Sequence, residues 1–201
     1  MRNISVLLFA PAVLAAGLMA ASFPDPPNVA ATAAPAGKQT AVLAGGCFWG
    51  MQGVFEHVKG VIDTEVGYSG GSKDTAHYER IERGDTNHAE SIRITFDPSK
   101  ISYGQLLKIY FSVAHDPTTL NRQHHDVGTQ YRSSIFYRNE EQRKIAEAVK
   151  LRVDQSGKWG KPVVTQIVPE SSFVRAEDFH QKYLDRNPEG YTCHFIRKME
   201  F

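Results

Sequence analysis

The segment GGCFWG at positions 45–50 sets a cysteine, Cys47, between a glycine pair and two large aromatic residues. An apolar run over 40–44 predicts a strand before it, and apolar residues at helical spacing over 48–58 predict a helix after it. Cys47 is therefore expected in the first turn of a helix, where unpaired N–H groups and the helix dipole favour the nucleophilic thiolate. The glycine pair predicts close approach of another molecule. A buried structural cysteine is the alternative.

Glu90 is the second candidate for chemistry. It shares one face of a predicted strand with Ile92, Ile94 and Phe96, and the strand stops at Asp97-Pro98. A carboxylate on that apolar face is partly desolvated, which raises its pKa toward the range of a general acid. An edge glutamate with its carboxylate in water is the alternative.

Cys193 is the only other cysteine in the sequence. Two cysteines in an exported chain are compatible with one structural disulfide. They are equally compatible with a pair that opens and closes during turnover, and their spacing does not decide between the two.

Two tyrosines and an aspartate, Tyr78, Tyr131 and Asp126, are predicted in loops or at the start of a strand, where functional side chains concentrate. A tyrosine hydroxyl can donate a hydrogen bond to a polar oxygen while its ring walls an apolar pocket. Ordinary packing is the alternative for these residues, and for Phe48 and Trp49 as well.

The histidines lack the spacing typical of a metal site. His88 and the segment 124–126 (HHD) carry ligand-type side chains, but the paired spacings of zinc sites are absent from the sequence. Adjacent residues of an extended segment point to opposite sides, so His124 and His125 are not expected to share an ion. We expect neither a bound metal nor a bound cofactor.

These residues require a framework of strands and helices to hold them. Predicted strands cover 40–44, 61–68, 90–96, 131–138 and 163–168, and predicted helices cover 48–58, 102–114, 139–157 and 177–184. The segment 115–128 has no apolar period and is predicted as a functional loop or a disordered insert. This order predicts an α/β fold of the α+β two-layer sandwich type. Its mixed sheet is flanked by helices in a ferredoxin-like elaboration with long coil segments.

The N-terminal region differs from the rest of the chain. Positions 1–21 show the pattern of a signal peptide, although the apolar stretch 4–21 also fits an uncleaved inner-membrane anchor. Pro- and Ala-rich residues 22–37 predict a flexible linker, which leaves 38–201 as one domain. We therefore expect an exported, periplasmic protein. With a net charge of +1 and scattered basic residues, no nucleic-acid partner is expected.

Five segments together resemble the signature sequences of the peptide methionine sulfoxide reductase A family. They are GGCFWG (45–50), GYSGG (67–71), GDTNHAE (84–90), GTQYRS (128–133) and NPEGY (187–191). The segments occur in the family's order and span essentially the whole predicted domain. The resemblance implies reduction of the S epimer of methionine sulfoxide, free or within proteins.

The resemblance also implies roles for the polar candidates. Cys47 matches the nucleophile that attacks the sulfoxide sulfur. Glu90 matches the acid that protonates the sulfoxide oxygen. Tyr78 and Tyr131 match the hydroxyls that hydrogen-bond this oxygen.

Three further positions match substrate-binding residues of the family. Phe48 and Trp49 match the pocket for the S-methyl group, and Asp126 matches an acidic substrate-binding position. A monomer is expected, acting on oxidised proteins or free methionine sulfoxide.

Cysteine chemistry is consistent with these implied roles. A thiolate that takes the oxygen becomes a sulfenic acid, which a second thiol condenses to a disulfide. Cys193 is the candidate second thiol, in a predicted flexible tail that could swing to Cys47. An external dithiol, thioredoxin or a thioredoxin-like protein, would then regenerate both thiols.

Two other function classes remain open from the sequence. One is an exported thiol hydrolase or acyltransferase that uses Cys47 with a histidine base. The other is a binding domain with a static disulfide between Cys47 and Cys193.

Overall fold

The structure is a computed structural model that describes residues 23–26 and 37–194 of the 201-residue chain. Its strands are β1 (Gln39–Ala44), β2 (Val61–Ser69), β3 (Ala89–Phe96), β4 (Arg122–Gln123), β5 (Asp126–Val127), β6 (Ser134–Tyr137), β7 (Gln166–Pro169) and β8 (Phe173–Arg175). Its α-helices are α1 (Phe48–Phe55), α2 (Tyr78–Ile81), α3 (Tyr103–Ile109), α4 (Glu140–Gln155) and α5 (Tyr183–Arg186).

Six of the strands form one sheet in the order β7-β6-β1-β3-β2-β8. The β6–β7 pair is parallel and the other pairs of this sheet are antiparallel, so the sheet is mixed. Strands β4 and β5 form a separate two-stranded hairpin. The predicted α+β architecture, with a mixed sheet and flanking helices, is confirmed.

The main core lies between one face of this sheet and the helices α1, α3 and α4. Strand residues such as Leu43, Ile92 and Ile94 pack there against helix residues such as Met51 and Leu107. Glu90 lies on the same face as Ile92 and Ile94, as the alternation predicted, because side chains two apart along a strand point to one side.

Two helices begin where capping residues predicted them. Ser102 and Gln105 form a reciprocal capping box at the start of α3, and the Asn139 side chain accepts from the Gln142 N–H at the start of α4. Beyond α3 the chain winds into a π-helical turn, Tyr110–Ala114. The apolar stripe predicted over 102–114 is therefore continuous, although the helix type changes within it.

Several element boundaries differ from the predictions. Helix α1 ends at Phe55 rather than near 58, and β7 begins three residues later than predicted. The segment predicted as one helix over 177–184 is a 3-10 turn, Asp178–His180, followed by α5. The polar loop before β3 contains the short helix α2, and β8 lacked a sequence signal because it has only three residues.

The segment 115–128 is ordered, so the alternative of a disordered insert is wrong. Partly buried polar contacts, rather than an apolar stripe, hold this segment in place. The Asp116 N–H donates to Gln123 Oε1 over 3.1 Å, and the Thr118 hydroxyl donates to the Asp116 carboxylate over 2.7 Å. Gln123 is buried, and β4 pairs with β5 at the end of the segment. This hairpin carries Asp126.

Part of the predicted linker packs on the domain. Phe23 is 3% exposed and belongs to the main core, and Lys108 contacts the Asp25 carboxylate at 2.7 Å. A free linker over the whole of 22–37 is therefore wrong for residues 23–26. The predicted signal peptide and the alternative membrane anchor lie outside the described residues. Among the helices of the described ranges, none combines the length and apolar composition needed to cross a bilayer.

Candidate active site

Sheet pairing brings Cys47 and Glu90 together. Strands β1 and β3 are antiparallel, with Leu43 opposite Ile92, so the end of β1 lies beside the start of β3. Cys47 follows β1 by three residues and is the N-cap of α1, while Glu90 is the second residue of β3. Residues 43 positions apart in the chain thereby share one site.

The Glu90 carboxyl group is buried at the start of α1. Glu90 is 2% exposed, and its Oε2 accepts a hydrogen bond from the Phe48 backbone N–H over 2.9 Å. Burial raises the pKa of Glu90 well above its usual value, and the Phe48 N–H offsets only part of this effect. Burial therefore favours the protonated form of Glu90, which can act as a proton donor.

The two cysteines lie side by side as free thiols. The Cys47 backbone N–H donates to Cys193 Sγ over 3.3 Å, and both residues are buried. Hydrogen bonding to Cys193 and burial raise the pKa of Cys47 well above its usual value. Hydrogen bonds from Cys47 and from His194 lower the pKa of Cys193 to about 4. Within this pair Cys47 holds its proton more tightly, and Cys193 is the sulfur that more readily becomes a thiolate.

This arrangement corrects the expected protonation of Cys47. Cys47 is the N-cap of α1 rather than a residue of its first turn, and the Cys47 N–H donates a hydrogen bond to the Cys193 sulfur. The N–H at the helix N-terminus therefore favours a thiolate at Cys193 rather than at Cys47. Cys47 has to lose its proton when substrate arrives.

The C-terminal segment is already docked against Cys47, so no large swing is required to bring Cys193 there. Its His194 ring contacts the Gly45 carbonyl oxygen at 2.9 Å, and the Tyr191 hydroxyl donates to Asp126 Oδ1 over 2.6 Å. A Cβ atom added at Gly46 would lie 3.2 Å from Cys193 Sγ. The close approach predicted at the glycine pair is therefore made by the chain itself.

Both predicted tyrosines lie near the Glu90 carboxyl group. Tyr78 is the first residue of α2, and Tyr131 lies in a 3-10 turn, Thr129–Tyr131, rather than at the start of a strand. Burial and the nearby carboxylates Glu82 and Glu90 raise the pKa of Tyr78 to about 12. Burial and Glu90 likewise raise the pKa of Tyr131. Both hydroxyls keep their protons. The Tyr131 hydroxyl donates to Glu82 Oε1 over 3.2 Å, so it would exchange this partner for a bound oxygen.

Asp126 adds a second perturbed acid beside the thiols. Burial and, to a smaller extent, the charge of Cys193 raise the pKa of its carboxyl group to about 6, in spite of the hydrogen bond from Tyr191. Asp126 Oδ2 is buried and has no hydrogen-bond partner within the described ranges. The carboxyl group therefore has an acceptor position left over for a ligand.

Aromatic side chains form the wall next to Cys47. Phe48 is buried against the rings of Tyr68 and His180, with centroids 5.9 and 4.9 Å away. Trp49 is partly exposed, stacks on Tyr183 at 3.8 Å and donates from Nε1 to His180 Nδ1 over 3.1 Å. Trp49 therefore offers the accessible apolar surface, and Phe48 supports the wall from behind.

Some supporting residues were missed from the sequence. Glu177 accepts from the Tyr68 hydroxyl over 2.8 Å and from the Tyr78 N–H over 2.9 Å, which joins β2 to α2. Arg132 donates to the carbonyl oxygens of Asn87 and His88, each over 3.0 Å. These contacts join two of the signature segments, GDTNHAE and GTQYRS. The position of Arg132 inside GTQYRS was the signal that could have indicated its role, whereas Glu177 lies outside the five signature segments.

The structure shows one potential cation-binding group within the described part of the chain. Glu56, His57 and Asp185 place ligand atoms within 4.8 Å of one another, and two of the three residues are exposed. The group lies at the far end of α1 from Cys47 and differs from the segment 124–126 considered from sequence.

The arrangement suits redox chemistry on a small polar oxygen. The Cys47 sulfur, the buried Glu90 carboxyl group and the two tyrosine hydroxyls lie close enough to influence one another's pKa values, and Cys193 lies beside Cys47. The geometry does not support a hydrolase, because within the described residues the imidazole that contacts the two sulfurs, His194, lies against Cys193 rather than Cys47.

A model of the peptide methionine sulfoxide reductase family matches residues 39–200 of the chain. Peptide methionine sulfoxide reductase MsrA 2 of Mesorhizobium japonicum is 54% identical over 156 residues, which cover 78% of this chain and 80% of the relative.

Solved structures agree with this match. Mxr1 from Saccharomyces cerevisiae in reduced form aligns with a TM-score of 0.76 and 36% identity, covering 82% of this chain and 94% of that chain. Mxr1 in complex with Trx2 aligns with a TM-score of 0.55 and 26% identity, covering 82% and 93%.

Proposed function

The chain belongs to the peptide methionine sulfoxide reductase A family, and from this premise we propose that Cys47 is the nucleophile of an enzyme specific for the S epimer. The enzyme reduces methionine sulfoxide and repairs oxidised protein. The observation that carries the proposed residue roles is the convergence of the Cys47 thiol with the buried, protonated Glu90 carboxyl group.

In the first proposed step the oxygen moves from substrate sulfur to Cys47 sulfur. The Tyr78 and Tyr131 hydroxyls hold the sulfoxide oxygen, and Trp49 and Phe48 wall the S-methyl group. Glu90 gives its proton to the oxygen and regains one from the Cys47 thiol. The S–O bond of the sulfoxide breaks, methionine leaves as the thioether, and Cys47 becomes a sulfenic acid.

In the second proposed step Cys193 sulfur attacks Cys47 sulfur. The S–OH bond of the sulfenic acid breaks, the oxygen leaves as water, and a disulfide joins the two cysteines. An external dithiol then reduces this disulfide by thiol exchange. We assign this role to thioredoxin or a thioredoxin-like protein, supported by the complex that the related Mxr1 forms with Trx2. Asp126 is assigned to substrate binding through its unpartnered oxygen.

A single-turnover assay tests these roles. The pre-reduced protein is mixed with methionine S-sulfoxide or R-sulfoxide, and methionine and free thiols are counted by mass spectrometry. We expect one methionine per chain from the S epimer only, with two hydrogens lost and Cys47 linked to Cys193. Persistence of both thiols with no methionine from either epimer would contradict the proposal.

Cys193→Ser is the matched variant for the second step. It is expected to yield one methionine per chain and a sulfenic acid at Cys47, which dimedone labels, but no disulfide. Turnover with a thioredoxin-type reductant should fall at least about tenfold, because a serine hydroxyl cannot close the disulfide. Full turnover of this variant would remove Cys193 from the mechanism.

We also propose that the protein is exported, on the basis of the signal-peptide pattern over 1–21. The reductant would then have to act in the periplasm. Cell fractionation followed by N-terminal sequencing tests the proposal. A periplasmic chain that starts near residue 22 is expected, and a cytoplasmic chain that retains 1–21 would contradict it.

A further inference from the structure

The His194 ring joins the resolving thiol to the turn that carries Cys47. Nδ1 lies 3.4 Å from Cys193 Sγ, and Nε2 lies 2.9 Å from the Gly45 carbonyl oxygen. A carbonyl oxygen only accepts, so Nε2 carries a hydrogen. In the neutral ring Nδ1 is then the free base, and it faces the sulfur.

Glycines of the segment 45–50 keep space for this pair. A Cβ atom at Gly50 would lie 2.0 Å from His194 Nδ1, and one at Gly46 would lie 3.2 Å from Cys193 Sγ. Such close approaches leave the ring and the sulfur little freedom beside α1. The contact is therefore part of the packed site.

We propose that His194 is the base that takes the proton of the Cys193 thiol and thereby supplies the thiolate that closes the disulfide. This inference rests on the proposed reductase function and extends it to the second step. The Cys193 S–H bond breaks and its proton moves to Nδ1. The sulfur then displaces hydroxide from the Cys47 sulfenic acid, and the hydroxide takes up one proton and leaves as water.

In the reduced protein the hydrogen bond from the Cys47 thiol is the main cause that lowers the pKa of Cys193, and this S–H donor is lost once Cys47 is a sulfenic acid, so Cys193 then needs another base. The carboxyl groups of Asp126 and Glu90 and the Tyr191 hydroxyl lie within electrostatic reach of the sulfur. Asp126, with its pKa near 6, is ionised above neutral pH and disfavours a second negative charge. The Cys47 N–H opposes this effect by donating one hydrogen bond to the sulfur. A protonated His194 adds a positive charge, which also stabilises the thiolate.

The test measures disulfide formation between pH 7 and 9, where the charge of Asp126 is constant. One equivalent of methionine S-sulfoxide is added to reduced protein, and methionine release and disulfide formation are followed separately by rapid acid quench. The variant is His194→Gln, whose amide can still donate to the Gly45 oxygen but has no basic nitrogen. His57→Gln, at a side chain that is 74% exposed, is the control.

In the unchanged protein and the control, disulfide formation should vary less than about twofold over this range. In His194→Gln it should rise about tenfold from pH 7 to 8.5, because a free thiol with a pKa near 8.5 is only about 3% ionised at pH 7. The greater nucleophilicity of a more basic thiolate recovers part of the rate, so at pH 7 a several-fold deficit is expected.

His194→Asn provides a second test if the first variant folds poorly, and it should show the same pH dependence. A purely structural role would lower the rate and leave the pH profile flat, which would overturn the inference, as would an unchanged rate. If the unchanged protein releases no methionine, the reductase function itself fails. Methionine release with a flat profile in both variants overturns the role of His194 alone.

Discussion

Two buried polar clusters flank the turn between β1 and α1, and they differ in how completely their groups are satisfied. We name them the site cluster (Cys47, Glu90, Asp126, Cys193 and His194) and the Ser133 cluster (Tyr110, His115, Ser133 and Thr165). Both reach the same turn: His194 contacts the Gly45 oxygen, and the Tyr110 hydroxyl donates to the Ala44 oxygen over 2.8 Å.

The Ser133 cluster closes its hydrogen bonds internally. Ser133 Oγ contacts the Tyr110 hydroxyl at 2.9 Å, His115 Nε2 at 2.7 Å and Thr165 Oγ1 at 2.7 Å. His115 Nδ1 contacts the Tyr110 carbonyl oxygen at 2.9 Å. Burial raises the pKa of Tyr110, which keeps this hydroxyl neutral. A network of this kind specifies one packing and leaves nothing to react.

The site cluster contains acids and thiols whose protonation is displaced from the ordinary values. Glu90 holds its proton more tightly than a solvated carboxyl group, Cys193 loses its proton more readily than a solvated thiol, and Asp126 has a buried oxygen without a hydrogen-bond partner among the described residues. The comparison teaches that burial alone does not mark a reactive site. A reactive site is marked instead by groups whose pKa values are shifted and whose hydrogen-bonding capacity is not fully used.

Among these variants, Cys47→Ser should have the largest effect. If activity survived this change, the contrast between the two clusters would no longer hold. Methionine formation from the S-sulfoxide should fall at least about 1,000-fold, because a serine hydroxyl is a far weaker nucleophile than a thiol. The thermal midpoint should change little, since the two side chains are nearly isosteric. Single-turnover methionine release and calorimetry measure the two effects, and residual activity above a hundredth would place the nucleophile elsewhere.

Glu90→Gln should lower methionine formation by about 100-fold, the size of a typical general-acid contribution. In the unchanged protein the rate should fall as pH rises through the raised pKa of Glu90, and the variant should lack this fall. Rate profiles from pH 6 to 10 test both expectations. A matching fall in the variant would assign the proton to another group.

The same variant should be more stable than the unchanged protein at pH 8. The pKa of Glu90 is higher in the folded than in the unfolded state. The free energy of unfolding therefore decreases as the pH rises from the pKa in the unfolded state toward the pKa in the folded state. Glutamine carries no charge and avoids this loss. Denaturant unfolding at pH 8 and pH 5 should show a gain of about 1 kcal/mol or more at pH 8 only.

Ser133→Ala should show the reverse behaviour and so sharpen the comparison. Removing the shared hydroxyl leaves buried partners unsatisfied, which costs about 1–3 kcal/mol in free energy of unfolding. Methionine formation at 25 °C should stay within about twofold. Urea unfolding with a parallel single-turnover assay checks this, and a tenfold loss of activity in folded protein would make the Ser133 cluster part of the chemistry.

Trp49→Phe should have the smallest effect. It removes the Nε1–H that donates to His180 but keeps an aromatic face above Tyr183. We expect KM for methionine S-sulfoxide to rise about threefold with kcat nearly unchanged, because one hydrogen bond contributes about 1 kcal/mol. Steady-state kinetics measures this. A fall in kcat without a change in KM would mean that Trp49 acts on the reacting atoms.

Much of the framework was predictable because local patterns match local elements. The alternation at Glu90, Ile92 and Ile94 predicted both a strand and its buried face, and Ser102 and Asn139 predicted helix starts. Short elements such as β8 and α2 were missed, because three or four residues carry too little periodicity. The alternative of disorder over 115–128 was wrong because polar contacts rather than apolar ones order this segment.

The sequence by itself determined which groups could react, since Cys47, Glu90 and Cys193 are defined by residue type and by their ordered signature segments. Only the tertiary structure decided the protonation of these groups. The Cys47 N–H, the His194 ring and the burial of Glu90 come from segments far apart in the chain. A pKa depends on desolvation and on neighbouring donors and charges in space, and no local pattern specifies those neighbours.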